Sequence, residues 1–136
     1  MIQRIQSVWL LLAAICAFAT FRFSFYSGTN AKGVINAELT ASGSFLLLLT
    51  TLIVGGLAMV TIFLFKRRKL QAFLCFAGIL LEALLIFLYY REVQTFLAGN
   101  YALTAILHVL IFYFYIMAAR GIGKDKKIIK ESDRLR

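Results

Sequence analysis

At 136 residues the chain is long enough for one domain, and its 62% hydrophobic content lies far above the roughly 45–50% apolar content of soluble domains. With a mean hydropathy of +0.86, an ordinary soluble fold is excluded, because a core this small cannot hide so much apolar surface and lipid must solvate part of it. The net charge of +9 does not point to nucleic acid, since the basic residues fall between apolar blocks and at the C-terminal end, as on the cytoplasmic side of a membrane protein.

A bilayer core of about 30 Å needs roughly 20 apolar residues in a helix rising 1.5 Å per residue. The first apolar segment runs from about residue 6 to 21 and is short, but it can extend through FRFSFY if Arg22 snorkels to the headgroups. Its basic start, apolar centre and the Ala17–Ala19 pair also resemble a cleavable signal peptide. A retained helix is preferred, because Ile15 precedes Cys16 where lipoprotein cleavage wants a small residue, and cleavage would leave three spans. Residues 22–43 follow as a loop: FRFSFYSG alternates, TNAKG offers turn residues, and VINAEL resumes. A short β-hairpin and an irregular loop are both compatible with that pattern.

Three further segments meet the length requirement plainly, at 44–65, 70–90 and 101–119, leaving 91–100 as a second loop and 120–136 as a basic tail. The chain contains no proline, so nothing obliges a kink. The expected architecture is an all-α integral membrane protein, a four-transmembrane-helix bundle over residues 1–119, with a short β-hairpin in the first outer loop as an option.

Orientation follows from the loops. Arg4, the run Lys66, Arg67, Arg68, Lys69 and the tail residues Arg120, Lys124, Lys126, Lys127, Lys130, Arg134 and Arg136 fall on one side, and only Arg22, Lys32 and Arg91 on the other. The positive-inside bias therefore predicts both termini in the cytoplasm. Phe21, Phe23, Phe25, Tyr26, Tyr89, Tyr90 and Tyr101 crowd the outer ends, as interfacial anchors would.

Within lipid, helices associate through small and polar residues. The first span offers Ala13, Ala17 and Thr20 on one face; the second offers Thr51, Gly55 and Ala58, with Gly56 beside them. The third offers Ala72, Cys75, Gly78 and then Glu82, and the fourth Tyr101, Ala105, His108, Phe112 and Tyr115. Glu82 thus points into the bundle, and the chain's only histidine sits on the matching stripe of the next helix. Counted from the cytoplasmic ends of their spans, both lie about 16–18 Å deep, so the two are expected to meet near mid-membrane as a hydrogen bond or an ion pair. Two roles are open. An intramembrane ionisable pair is by default a candidate proton relay or substrate site; its plainer role is an interhelical bond that fixes packing. Cys16 and Cys75, inside apolar runs, are expected as buried unpaired thiols.

The tail RGIGKDKKIIKESDRLR carries seven basic residues against three acids. Ile122, Ile129 and Leu135, with Ile128 beside them, are compatible with a short amphipathic helix after Gly121 and Gly123. It suits an anchor on anionic lipid or a dock for a cytoplasmic partner. With no interleaved aromatic residue, it is a poor nucleic-acid binder.

The opening Met1 to Gln6 (MIQRIQ), the Leu10 to Ala14 run, Lys124-Asp125, and the closing Asp133 to Arg136 (DRLR) together resemble a family of small, uncharacterised four-span inner-membrane proteins of Bacteroidetes. The resemblance implies a bacterial inner-membrane location and a tail whose letters matter beyond charge. It transfers no catalytic residue.

No nucleotide loop, nucleophile constellation or metal-ligand set occurs in the sequence. The leading expectation is therefore a non-enzymatic accessory or assembly subunit of a larger inner-membrane complex, without cofactor or metal. It would contact anionic lipids and either other membrane subunits or further copies of itself. A small proton-coupled transporter using Glu82 and His108 is the alternative. Small multidrug exporters are also four-span chains with one intramembrane Glu, but theirs is in the first span. A haem subunit fits poorly, since one histidine cannot supply two axial ligands.

Overall fold

The computed structural model describes residues 2–135, with side chains from Ile5 to Leu135. Four helices make up most of it: α1 (Ile2–Ala19), α2 (Phe45–Phe63), α3 (Arg68–Val93) and α4 (Ile106–Arg134). Three strands, β1 (Tyr26–Asn30), β2 (Ala37–Leu39) and β3 (Phe96–Tyr101), lie in the segments between them. Helix accounts for 70% of the chain. Three helical segments are long and apolar enough to cross a membrane: α2, α3 and Leu103–Arg134, which contains α4. The apolar part of α1, Ile5–Ala19, is shorter.

The helices close a ring, α1 packing on α2 and α4, and α3 on the same two. What holds them in register is a repeat of 3.5 residues. The inward residues of α4 are His108, Ile111, Tyr115, Ala118, Ile122 and Asp125, alternating three and four apart. Those of α3 include Gln71, Cys75, Gly78, Glu82, Leu85 and Tyr89 on the same spacing, and α1 contributes Gln6, Leu10, Ala13, Ala17 and Thr20. Such seams keep one face inward along a whole helix, and they pack as left-handed bundles. The middle of the bundle is apolar, built on Leu10, Ala13, Ala17, Val54, Ala58, Cys75, Ile111 and Ala118. Bulky residues such as Phe63, Phe73, Phe76 and Phe87 stay on the outside, where only lipid would solvate them favourably.

Small residues make room for a diagonal tie. A Cβ at Gly78 would overlap the ring of Tyr115, so glycine on α3 lets that ring cross the bundle. The Tyr115 hydroxyl then donates to the Val54 carbonyl of α2 at 2.7 Å. Gly55 lies against the Phe18 ring of α1, Ala13 and Ala17 are buried, and Ala72 is half-buried against the core. Gly56 differs from expectation: nothing lies within 4 Å of where its Cβ would be, so it faces outward. Cys75 is buried and Cys16 is only half-buried, both unpaired.

The all-α expectation is corrected by a three-stranded antiparallel sheet ordered β2-β1-β3. The hairpin pattern in residues 22–43 does form, pairing Tyr26 with Leu39 and Gly28 with Ala37. Its turn uses Gly33 and Asn36, both at positive φ, which glycine and asparagine tolerate best. Of the segment expected as a second loop, the first residues continue α3 to Val93 and the rest, from Phe96, is strand β3, pairing Tyr26 with Tyr101 and Gly28 with Gly99. A Cβ on either Gly28 or Gly99 would run into the facing backbone, so the two glycines permit the close pairing.

The fourth helix also departs from its expected limits. A 3₁₀ turn at Leu103–Ala105 precedes it, and the α-helix begins at Ile106 rather than 101. It then runs unbroken through Gly121 and Gly123 to Arg134, so no separate tail helix exists. Arg68 and Lys69 start α3 rather than belonging to the link between α2 and α3.

Gly78→Ala should lower stability by about 1–3 kcal/mol through overpacking against Tyr115. Gly56→Ala should be neutral or stabilising by up to about 1 kcal/mol through helix propensity. Thermal melts of the purified protein in detergent would check the contrast; equal effects at both positions would contradict the packing described.

Candidate functional site

The one deep ionisable cluster among the described residues lies where the sheet meets the helices. Glu82 sits on the inward seam of α3, one turn from Gly78, and is 0% exposed. His108 sits in the first turn of α4 and is 1% exposed. Glu82 Oε1 and His108 Nδ1 are 2.8 Å apart, a hydrogen bond or an ion pair according to where the proton rests. Because α4 begins at Ile106, His108 lies at the start of its helix, directly beneath the sheet, rather than seven residues inside it.

Aromatic rings close the space above. Phe25, just before β1, stacks on Tyr89 with centroids 4.5 Å apart and meets His108 edge-on at 5.4 Å. Tyr89 itself lies 4.7 Å from the imidazole. Tyr26, Phe96 and Tyr101 continue this cluster. Phe25, Tyr26 and Tyr89 are thus turned inward rather than acting as interfacial anchors, while Phe23, Tyr90 and Tyr101 are exposed. The lid is fastened through its backbone. Phe25 donates to Leu39 at 2.7 Å and accepts from Ala102 at 2.9 Å, and the Thr104 hydroxyl donates to the Ser24 carbonyl.

The second atom of each partner, Glu82 Oε2 and His108 Nε2, has no hydrogen-bond partner among the described residues, and neither has Thr51 Oγ1. The Tyr89 hydroxyl lies near Thr20, just past α1, and has no hydrogen-bond partner in good geometry among the described residues. A shared proton between Nδ1 and Oε1 therefore leaves one carboxylate oxygen and one ring nitrogen without a partner among the described residues. Chemically, the arrangement can hold two helices together or accept and release a proton. No group of three or more His, Cys, Asp or Glu able to hold a metal occurs among the described residues.

The basic residues gather at the opposite end. Lys66 and Arg67 link α2 to α3, Arg68 and Lys69 open α3, and Lys124, Lys126, Lys127, Lys130 and Arg134 lie on the last turns of α4. From Lys126 to Leu135 every residue is exposed. Lys127 and Glu131 pair along it at 4.0 Å. Arg136 lies outside the described residues, as does the side chain of Arg4.

Sequence reasoning missed a second buried polar pair. Gln6 Nε2 of α1 donates to Asp125 Oδ2 of α4 at 2.5 Å, with the two residues 4% and 6% exposed. The signal was present. Asp125 continues the three-four spacing of His108, Ile111, Tyr115, Ala118 and Ile122, but the two glycines read as the end of the helix and hid it.

If the Glu82–His108 bond holds the bundle, Glu82→Leu and His108→Leu should each destabilise by about 1–3 kcal/mol, since each strands a buried polar group. The double replacement should cost clearly less than the sum of the two. Melts of all four forms in one detergent would measure the coupling, and additive effects would show that the contact carries none.

No curated protein matches this chain, and no solved structure does. One family of unknown function does match, over residues 2–135. With nearly the whole length covered, the chain belongs to the family described as domain of unknown function DUF4293.

Proposed function

We propose that this chain is a non-enzymatic accessory or assembly subunit of a larger complex in a bacterial inner membrane, which it spans four times with both termini in the cytoplasm. Four supports stand behind the topology. Three helices have spanning length. The whole of α1, 18 residues, reaches about 27 Å and is packed on two spanning neighbours. The basic residues concentrate at one end of the ring, as the positive-inside rule requires of a cytoplasmic face. The resemblance of both chain ends to inner-membrane proteins of Bacteroidetes supports the bacterial location.

The observation that carries the subunit reading is the arm of α4. A helical segment with every residue from Lys126 to Leu135 exposed adds nothing to the buried core and leaves its side chains open to a partner. It carries Lys126, Lys127, Lys130 and Arg134 together with exposed Ile128, Ile129 and Leu135, an adhesive mixture suited to a partner at the membrane surface. Most small residues on the seams, by contrast, are spent inside the bundle, so the arm is the natural place for specific attachment.

A second reading, a small proton-coupled transporter, is favoured by one observation: Glu82 Oε2 and His108 Nε2 are each left open. Glu82→Gln separates the two. In the subunit reading it leaves partner capture intact, and liposomes holding the protein pass no protons. A proton flux that Glu82→Gln abolishes would establish transport instead.

The principal test is crosslinked affinity purification of the tagged protein from its native membrane, with and without residues 126–136. That cut leaves Asp125 and its bond to Gln6 in place. A defined set of membrane partners should be recovered with the full chain and lost with the shortened one. Recovery of the bare protein alone in both cases would overturn the subunit reading.

A further inference from the structure

Between α1 and α4, at the basic end of the bundle, lies a groove of about 300 Å³ whose lining changes character along its length. Lys124 and Arg120 stand one turn apart at its lower end, both exposed and neither in an ion pair among the described residues. Above them α4 continues with Met117 and α1 contributes Trp9, while Ile5 and Gln6 of α1 line the groove near the level of the cations. Trp9 is held in place by the edge of Tyr113 at 6.2 Å and by Phe114 at 5.6 Å. The sequence of groups is thus two cations, then a thioether and an indole. On α4 it spans from Lys124 to Met117, about 10 Å along the helix.

One negative group lies nearby. The Asp125 carboxylate is buried on the inward seam, and Gln6 holds it there through the 2.5 Å bond described above. The cations project on the outer side of α4, so the groove itself presents positive charge to whatever enters it.

We infer that this groove is a binding site for a single anionic phospholipid, its phosphate between Arg120 and Lys124 and an acyl chain laid along Met117 and Trp9. A free phosphate would use the two cations and leave the apolar wall unoccupied; a lipid uses both. Basic pockets between helices at the cytoplasmic side are where anionic headgroups bind. The position also suits a Trp, whose ring favours the membrane interface. The site rests on the membrane reading above, but it goes further, because it assigns the lipid preference to two residues that are not part of the exposed arm. A bound lipid would bridge α1 to α4, stabilising the weakest-spanning helix against its largest neighbour.

Trp9 is the chain's only tryptophan, so its fluorescence reports on this groove alone. The protein is reconstituted into bilayers containing phosphatidylglycerol or phosphatidylcholine brominated in the acyl chain, and quenching is titrated against mole fraction. Brominated phosphatidylglycerol should quench at a mole fraction about fivefold lower or more, the scale set by one or two basic residues near a membrane surface. Arg120→Gln with Lys124→Gln should remove that preference while the protein still elutes as a folded species. Lys126→Gln with Lys127→Gln, on the exposed arm, should keep it. Equal quenching by the two lipids overturns the site and leaves the membrane reading standing. No quenching by either overturns both. Equal loss in the two double variants would show a diffuse surface attraction and overturn the site, as would displacement of the lipid by millimolar inorganic phosphate.

Discussion

A carboxylate and an imidazole buried together, each supplying the only side-chain hydrogen bond the other has among the described residues, set the terms for the upper half of this molecule. Neither group tolerates an apolar site alone, because an unpaired buried polar group loses its hydration with nothing in return. Glu82 therefore needs His108 at hydrogen-bond distance, and His108 is in the first turn of α4. That fixes where α4 must begin. The 3₁₀ turn at Leu103–Ala105 and strand β3 bring the chain down to that point, and β3 is held in turn by β1. Through this sequence of contacts, a bond between two helices is tied to the pairing of two loops far apart in the chain.

The same logic operates at the other end. Gln6 and Asp125 form the second buried polar layer, and Gln71 adds a bond to the Thr61 carbonyl at 3.3 Å. Between these layers the seams carry small and apolar residues. An apolar seam alone leaves neighbouring helices free to slide by a heptad, since one layer resembles the next. A polar residue in a core layer fixes register by making every other alignment strand it. With polar layers at both ends, α4 is pinned against α3 near its start and against α1 near its finish. Tyr115, passing over Gly78 to the Val54 carbonyl, adds a diagonal link between α4 and α2.

Much of this was legible in the residues, and the failures share a cause. Helices with a strong 3.5-residue seam declare both their presence and their inward face, which is why Glu82, His108, Ala13, Ala17 and Gly78 could be placed on inward stripes from spacing alone. Gly56 could not, because a glycine beside a stripe reads the same whether it faces a helix or faces outward. Strand β3 was hidden because FLAGNY lacks alternation and carries a glycine, and its partner is a loop about 70 residues earlier. Sheet pairing of that kind is a tertiary decision with no local signature. Glycines at 121 and 123 suggested a stop, but helix propensity is a weak prior. Here Ile122 and Asp125 have burial on α1 to gain, and the helix continues. The Phe25 lid escaped notice for the same reason as β3, since its contacts are made by elements distant in sequence.

The asymmetry of the two ends bears on what the molecule does. At the sheet end the ionisable pair is buried, and the ring over it is carried on a segment tied into the sheet. Phe25 is held by backbone bonds on both sides, to Leu39 of β2 and to Ala102 beyond β3. At the basic end the situation is reversed: an exposed helical arm, a cationic groove with an apolar wall, and the run from Lys66 to Lys69 all lie open. Chemistry that stabilises the fold is concentrated where access is least, and chemistry suited to lipids and partners where access is greatest. In the proposed subunit reading, the Glu82–His108 pair is the fastening that lets a short, proline-free bundle present its basic face in one fixed geometry.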